Sequence, residues 1–411
     1  MKAVPILVLA ASLLLGGCHG GGDRGAIAVS LIGTRLEDAA IAGADENGLV
    51  RLDREGQVIP GAAARWAILD GGLDYIFRID DGAGLSAPVV ARRLRDALRR
   101  HRRDPDFAAL GPVESIEAVT GTVVEMRLSL PQPDLLPLLA RPEFAVGSAT
   151  DFKPGKRLRG QIMLDPRPGD DAPSPVLLRV ERVGRAVARF QNGDAQFVTG
   201  GTFANLPVAH AAQPDRKSLR FDPVTGLFGF AIRNADLPPI VRTALSLAID
   251  RDRIVAAIGA PDHAKATTLA GSKLEPPLAE RRAAALALLK GKTAHIRVAM
   301  PQGPGARLLF ALAAQDWARI GIGAEMVEPD AHNADLVLVD RVAPPGTLAV
   351  LACALGRGCD PTDRMALINP PFIPVAAPVR WSLVAPGLDL FTENGLAAHP
   401  LDQLRSRARR D

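Results

Sequence analysis

The 411-residue chain is long enough to form two or three domains with sizeable hydrophobic cores. Its formal net charge is only +4 and its seven histidines are scattered, so neither a strongly basic nucleic-acid-binding domain nor a histidine-rich metal site is expected. The sequence lacks the motifs of serine hydrolases, phosphate-binding loops and zinc proteases, so we expect neither an enzyme nor a cofactor. A glycosidase carboxylate pair, whose members can lie far apart in a chain, is the enzymatic alternative left open.

The N-terminal segment MKAVPILVLAASLLLGGC has the pattern of an export signal. Lys2 precedes an apolar run over 4–15, which is too short to span a membrane, and small residues precede Cys18. The LLGGC end resembles the lipobox of bacterial lipoproteins, in which the cysteine is lipidated. The resemblance implies a signal peptide over 1–17 and a membrane anchor at Cys18, whereas the alternative is an ordinary cleaved signal. His19 stands where an inner-membrane retention signal usually has Asp, so which membrane holds the anchor stays open.

A short flexible tether over 18–26 leads into a predicted strand over 27–34. Further on, ARWAILDGGLDYIFRID over 64–80 predicts a β-hairpin, because large apolar residues alternate on both sides of a turn at 70–72. The alternation places Tyr75, Phe77 and Ile79 on one buried face. We therefore interpret this stretch, which also contains Trp66, as a core hairpin.

The segment ARRLRDALRRHRRD over 91–104 predicts an amphipathic helix with a basic outer face. A solvated face is the favoured interpretation; contact with anionic lipid or a partner protein is the alternative. A second hairpin is predicted over 115–133. The Pro-rich segment over 151–175 is predicted to be a loop.

The second half of the chain alternates strands and helices. Strands are predicted at 176–183 and 226–234, and the spacing of apolar residues after Pro239 predicts a helix. Asp250 is expected to cap the next helix and Gly259 to end it. A strand, a helix and a strand follow, and then the all-apolar strand ADLVLVD, which is typical of a covered, parallel sheet. This order predicts an α/β lobe.

Cys353 and Cys359 lie close together in CALGRGC. In an oxidising compartment two nearby cysteines are expected to form a disulfide. The rival interpretation is a metal site, but the spacing is not that of a zinc site and we expect no bound metal.

Several stretches, in the same order along the chain, resemble family 5 solute-binding proteins of ABC importers, the group with oligopeptide-, dipeptide- and nickel-binding members. NGLVRLDREGQVIPGAAARWAILDGGLDYIFRIDDG resembles the N-terminal signature of that family. LFGFAIRNADLPPIVRTALSLAIDRDRIV resembles its strand ending in Asn and the helix that follows, and this is the most specific match. The matches cover most of 27–405.

The resemblance implies an α/β, two-lobed periplasmic-binding-protein-like fold of type II, the peptide-binding class, with an extra small α+β domain. It also implies a discontinuous lobe I, a small domain and a lobe II. The expected boundaries are 27–44, 150–230 and 377–411 for lobe I, 45–149 for the small domain and 231–376 for lobe II.

The chain also departs from the family pattern. The Gly-Thr-Gly-Pro-Tyr turn and the aromatic segment after it have no counterpart, and the stretch after ADLVLVDRVAPPG is shortened. By resemblance, Asp340 is the nearest candidate for a carboxylate that binds a ligand amino group, and Arg341 could bind a carboxylate. Asn234 matches a family Asn. For Asp340 a strand-end turn residue is the alternative role, and for Asn234 it is a backbone-satisfying residue.

The resemblance implies a monomeric, lipid-anchored periplasmic receptor. It would capture a peptide or similar small solute between two lobes and deliver it to an ABC permease in the inner membrane, with no nucleic-acid partner. The alternative is a reduced, non-transport envelope lipoprotein that keeps the fold as an interaction scaffold.

Overall fold

The computed structural model describes eleven segments of the chain. They are residues 25–33, 46–101, 110–148, 152–153, 157–158, 160–168, 172–215, 217–264, 276–343, 372–389 and 391–406. Cys18, Cys353 and Cys359 lie outside the described residues, as do the signal peptide and most of the tether.

The described residues contain strands of two to seven residues. In chain order they are β1 (Ile27–Ile32), β2 (Glu46–Asn47), β3 (Val50–Leu52), β4 (Val58–Pro60), β5 (Ala63–Leu69), β6 (Asp74–Ile79), β7 (Val113–Ala118), β8 (Val123–Leu128), β9 (Gly147–Ser148), β10 (Phe152–Lys153), β11 (Arg157–Leu158), β12 (Gln161–Pro166), β13 (Val176–Glu181), β14 (Phe197–Thr202), β15 (Leu219–Phe221), β16 (Gly226–Ile232), β17 (Ala294–Ala299), β18 (Ile322–Val327), β19 (Leu336–Val342), β20 (Phe372–Ala376), β21 (Arg380–Val384), β22 (Leu388–Asp389) and β23 (Arg405–Ser406).

The α-helices of the described residues lie between these strands. They are α1 (Ala87–His101), α2 (Leu135–Leu139), α3 (Val183–Gln191), α4 (Leu206–Ala211), α5 (Pro239–Ala248), α6 (Arg251–Ile258), α7 (Leu278–Leu289) and α8 (Pro304–Ala318). Short 3₁₀ turns occur at Asp81–Ala83, Pro142–Phe144, Asp262–Ala264 and Leu401–Gln403. In the described part of the chain, none of the helices combines the length and the apolar character needed to cross a bilayer.

Lobe I is built on an eight-stranded sheet. Its strand order is β10-β12-β13-β1-β14-β21-β15, with β11 paired to β12. Strand β1 pairs in parallel with both β13 and β14, and β21 runs antiparallel to β14. Strand β13 confirms the strand predicted at 176–183. Helix α3 connects β13 to β14, and the three elements form a crossover unit.

The prediction of a loop over 151–175 is wrong for β12. This strand pairs antiparallel with β13, and the side chains of its residues Ile162 and Leu164 are buried. The alternation of Ile162 and Leu164 is a strand signal that the surrounding prolines obscured.

Lobe II is built on a five-stranded sheet in the order β18-β17-β19-β16-β20. Strand β17 pairs in parallel with β18 and β19, whereas β16 pairs antiparallel with β19 and β20. The sheet is therefore mixed, which corrects the expectation of a parallel sheet from the apolar run in β19. That run is nevertheless covered, because Leu336 and Leu338 belong to a core shared with the helices of this lobe.

Helix α6 of lobe II begins and ends where the sequence predicts. The Asp250 carboxylate accepts a hydrogen bond from the Arg253 N–H and caps α6, which ends at Gly259 in a left-handed conformation. On α8, Ala313 and Trp317 are fully buried, and the Trp317 indole N–H donates to the Leu245 carbonyl of α5 at 3.1 Å. The buried side chains of Ala313 and Trp317 thus hold α8 against both the sheet and α5.

The small domain contains a four-stranded sheet in the order β5-β6-β8-β7, covered by α1. The predicted hairpin turn is confirmed: Asp70, Gly71 and Gly72 have positive φ angles of 50°, 65° and 94°. Tyr75, Phe77 and Ile79 are buried as predicted, since β6 is an inner strand. On the edge strand β5, Trp66 is half-buried and Ile68 is exposed.

The basic face of α1 is exposed, with Arg92, Arg99 and Arg100 facing solvent. Arg93 and Arg95 instead form hydrogen bonds within the domain. The Arg93 guanidinium donates to the Val146 carbonyl, and the Arg95 guanidinium donates to the Ile116 carbonyl of β7. Part of the basic face therefore fastens the helix to neighbouring strands.

Two connections, which run over 222–225 and 377–379, link the two large sheets within the described residues. The first leads from β15 into β16, and the second leads from β20 into β21. Strand β16 lies entirely in the five-stranded sheet, so the chain leaves lobe I before Gly226 rather than after residue 230.

The two connections approach each other closely at Gly226. Its φ angle is 153°, and a Cβ atom added there would overlap the Arg341 carbonyl oxygen and come within 2.9 Å of the Pro378 ring. The Thr225 hydroxyl donates to the Ala343 carbonyl at 2.7 Å, and the Ala343 N–H donates to the Thr225 carbonyl at 2.9 Å. Only glycine fits this position.

We predict that Gly226→Ala lowers the free energy of unfolding by about 2–4 kcal/mol, because the added methyl group must displace the Arg341 backbone and the Pro378 ring. Urea denaturation monitored by circular dichroism measures the change. The matched control is Gly184→Ala in α3, where a Cβ has no atom within 4 Å. This control should raise stability by about 0.5 kcal/mol. Equal stabilities of the two variants would contradict the close approach at Gly226.

Candidate functional site

Asp340 lies at the junction of the two lobes. It is on β19, opposite Phe228 of β16, and its Oδ1 accepts a hydrogen bond of 2.8 Å from the Arg380 guanidinium. Arg380 is the first residue of β21 in lobe I. It also donates to the Asp340 carbonyl oxygen at 3.1 Å and to the Val379 carbonyl oxygen at 2.9 Å. The candidate ligand carboxylate is thus paired with a cation of the other lobe.

The lobes also touch through apolar and backbone contacts. The rings of Phe203, which follows β14, and Phe228 in lobe II have centroids 4.5 Å apart. The Gly305 N–H at the start of α8 donates to the Ala204 carbonyl at 2.9 Å. A Cβ on Gly305 would overlap the Phe203 carbonyl, so the absence of a side chain lets α8 approach lobe I. These contacts join the cores of the lobes into one buried cluster.

Arg341 faces away from Asp340, because successive residues of a strand point to opposite sides of the sheet. Its guanidinium lies 3.8 Å from Oδ2 of Asp134, the residue that precedes α2 of the small domain, and both side chains are buried. This ion pair connects lobe II to the small domain. Leu227 and Val339 of the lobe II sheet belong to the core of the small domain, so the contact is apolar as well.

Buried polar groups surround this ion pair on the small-domain side. The Tyr75 hydroxyl donates to the Gln132 carbonyl oxygen at 3.2 Å. The Gln132 side chain and Oδ1 of Asp134 are buried and have no hydrogen-bond partner among the described residues. Burial raises the pKa of Asp134, and the nearby Arg341 charge offsets part of this rise. Burial, and then the Asp134 charge, raise the pKa of Tyr75.

Asn234 lies at the opposite end of the lobe II sheet, just beyond β16. Its amide nitrogen donates to Oδ1 of Asp335 at 2.7 Å, and its Oδ1 accepts from the Asp236 N–H at 3.0 Å. Asn234 and Phe228, the residue opposite Asp340, are six residues apart, a span of roughly 20 Å along a strand. Asn234 therefore shapes a turn with its neighbours and does not meet Asp340.

The three predicted ligand residues thus occupy three separate environments. Asp340 points to the inter-lobe junction, Arg341 to the small domain and Asn234 to the far sheet end. Sequence reasoning missed Arg380 and Asp134. For Arg380 a signal existed, because it is a lone cation between Pro378 and the buried residues that begin with Trp381.

No cluster of three His, Cys, Asp or Glu side chains suited to a metal ion occurs among the described residues. The predicted disulfide residues Cys353 and Cys359 and the predicted lipidation residue Cys18 are not among them.

We predict that Asp134 makes stability fall as the pH rises from about 4. The native state retains a proton on the raised carboxyl that the unfolded chain has already released, so higher pH favours unfolding until the native carboxyl has also ionised. Urea unfolding at several pH values should show a shallower decline in Asp134→Asn than in the parent.

Arg341→Gln provides the second comparison. Loss of the positive charge removes what lowers the Asp134 pKa, so the decline should extend to higher pH. The measured quantity is the slope with pH, because both variants also change stability at every pH. A slope that is the same in all three proteins would contradict the assignment.

Known structures share this architecture. Haemophilus influenzae OppA in complex with the peptide RPPGFSPFR is 14% identical and has a TM-score of 0.72, covering 93% of this chain and 99% of OppA. The binding protein AgaA from Agrobacterium tumefaciens R10, in complex with agropinic acid, is 16% identical, with a TM-score of 0.71 and coverage of 93% and 99%. No protein-family model and no curated protein matches the sequence.

Two structures of the murein tripeptide binding protein MppA also match. The Escherichia coli MppA structure is 15% identical, with a TM-score of 0.69 and coverage of 94% of this chain and 99% of MppA. The unliganded open form of MppA, also 15% identical and covering 94% and 98%, has a lower TM-score of 0.63. Nearly the whole chain thus has the two-lobed fold of periplasmic peptide-binding proteins, as the resemblance to family 5 implied.

Proposed function

We propose that this chain is an extracytoplasmic solute-binding protein of an ABC importer, which captures a peptide or similar small solute between its lobes. The observation that carries the proposal is the architecture itself: two lobes joined by two adjacent connections, matched over 93% of the chain by a protein bound to a peptide. Two lobes that rotate about paired connections can enclose a ligand and expose a different surface once closed. We expect an ABC permease in the inner membrane to be the partner that binds the surface of the closed form.

The proposal leaves a broad choice of solute. The similar structures hold a nonapeptide and agropinic acid, and a third protein is described as binding a murein tripeptide. Asp340, Arg341 and Asn234 stay our candidate ligand residues. Each is already engaged within the chain, by Arg380, Asp134 and Asp335 respectively, so a ligand group has to compete with that partner. The similar structures are of binding proteins, which supports binding without catalysis.

The cellular setting is also part of the proposal. We place the chain in the periplasm as a monomer anchored through lipidated Cys18, with Cys353 and Cys359 paired and no nucleic-acid partner. The domain scheme is as the sequence suggests, with lobe II starting at Gly226. The alternative role, a scaffold lipoprotein without a transported solute, is not favoured by the comparisons, and it predicts that no small ligand stabilises the chain.

The test is a ligand screen by thermal unfolding, with tri- to nonapeptides, nickel and sugars as probes. A true ligand present at 100 times its dissociation constant should stabilise the chain by about 2.7 kcal/mol. Gly305→Ala, which prevents close approach of the lobes, should lose most of this gain, whereas Gly184→Ala should keep it. Absence of stabilisation by every probe would favour the scaffold.

The anchor is tested separately. Cys18→Ala should move the expressed chain from the membrane fraction to the soluble periplasmic fraction and abolish incorporation of labelled palmitate. Cys353→Ala is the matched cysteine control, and it should leave the chain in the membrane fraction. A Cys18→Ala chain that still carries labelled lipid would show that the anchor is not at this residue.

A further inference from the structure

We propose that Arg380 is an internal counter-ion of Asp340 that clamps the two lobes closed without ligand and keeps Asp340 from serving as an anchor for a ligand ammonium group. The closure part stands on the contacts alone, and the ligand part rests on the proposed function.

The Arg380 guanidinium joins the two lobes through its hydrogen bonds. Arg380 belongs to lobe I, yet it donates to both the side chain and the main chain of Asp340 in lobe II, at 2.8 and 3.1 Å. Its third acceptor is the Val379 carbonyl in the connection itself. A planar guanidinium held by three acceptors has one orientation, so it fixes the angle between β21 and β19.

Arg380 lies beside both connections. It directly follows the connection over 377–379, and its own carbonyl accepts a hydrogen bond of 3.1 Å from the Asp222 N–H, where the other connection begins. Because Arg380 and Asp340 belong to different lobes, a rotation of one lobe against the other changes the geometry between them. Because a hydrogen bond weakens steeply once stretched or bent, opening requires the pair to break.

The contacts between the lobes are made by the chain's own residues. The Phe203 and Phe228 rings pack across the junction, and the Gly305 N–H donates to the Ala204 carbonyl. With Arg380 and Asp340 only 18% and 16% exposed, this ion pair is sheltered from solvent and salt screening. These contacts between the lobes therefore involve no ligand atom.

The consequence for ligands is a matter of charge. A carboxylate at a cleft attracts cationic groups, but here its charge is already matched by a guanidinium. A ligand ammonium group would have to compete with Arg380, which donates to the Asp340 carboxylate and to its main-chain carbonyl, to reach Asp340. The clamp therefore selects for solutes that do not depend on an ammonium anchor at this position.

Hydrogen exchange at the Gly305 amide reports lobe opening. This N–H is in the first turn of α8, where no intrahelical acceptor exists, so its protection comes from Ala204 of the other lobe. Amides of β17, inside the lobe II sheet, report whether the fold itself opens. Exchange is measured on the full chain by mass spectrometry with residue-level fragmentation.

We expect Arg380→Gln to accelerate Gly305 exchange about tenfold and to leave β17 exchange unchanged, since a charged hydrogen-bonded pair of this kind shifts a two-state equilibrium by at least that factor. The control is Arg189→Gln, which removes a partly buried pair with Glu181 inside lobe I. It should not alter Gly305 exchange. Gly305→Ala gives the open reference. Unchanged exchange in Arg380→Gln, or equal acceleration in both arginine variants, would overturn the clamp.

The ligand arm uses trialanine and N-acetyl-trialanine in the same thermal assay. The parent chain should not prefer the free amine, whereas Arg380→Gln should gain about tenfold preference for it. A parent that already prefers trialanine would overturn the ligand part. If neither peptide binds either protein, peptide binding as a function fails, and the exchange result decides the clamp on its own.

Discussion

The arrangement of this molecule depends on the close approach of two chain connections at Gly226. Because Gly226 has no side chain, the end of the first connection packs against the Arg341 carbonyl of β19 and against the Pro378 ring of the second connection. The five-stranded sheet of lobe II consequently begins at the same place where β21 re-enters lobe I. This backbone geometry places Arg380 of β21 next to Asp340 of β19. Arg341, the next residue of β19, faces the small domain. The charged pairs follow from the course of the backbone.

Adjacent positions on β19 serve two different interfaces. Asp340 faces lobe I and Arg341 faces the small domain, because the pleat of a strand sends neighbouring side chains to opposite sides. The apolar core follows the same division: Phe228 and Phe230 belong to the core shared by the lobes, while Leu227 and Ala231 belong to that of the small domain. Lobe II thus mediates between the other two parts through one pair of strands.

Local signals in the sequence were sufficient for most elements. The Gly71-Gly72 turn with alternating Tyr75 and Phe77 predicted the first hairpin, and the Asp250 cap and Gly259 end predicted α6, since each depends on residues a few positions apart. Strand β12 was not predicted, because prolines flank it. The direction of β16 within its sheet also escaped, because an apolar run shows burial and not strand direction.

The site was harder to predict because its pairs join distant positions. Arg380 and Asp340 are 40 residues apart in the chain and lie in different sheets. Alternation along β19 does predict that Asp340 and Arg341 point to opposite sides. This alternation does not predict which charged side chain pairs with each of them, because the partners come from other parts of the fold and depend on how the lobes pack. Asn234, identified only through its likeness to a family residue, lies in a turn with its own hydrogen-bond partners.

The edge strand β5 has a consequence for the behaviour of the small domain in concentrated solution. One side of its backbone has no neighbouring strand in the sheet, and Ile68 and Leu69 are exposed near the hairpin turn. Such an edge is a template for strand addition between molecules. Arg65, exposed on the same strand, disfavours the antiparallel register centred on it, because that pairing of two copies would place the two arginines directly opposite each other. This arginine thus removes one of the registers in which two copies could pair through the edge.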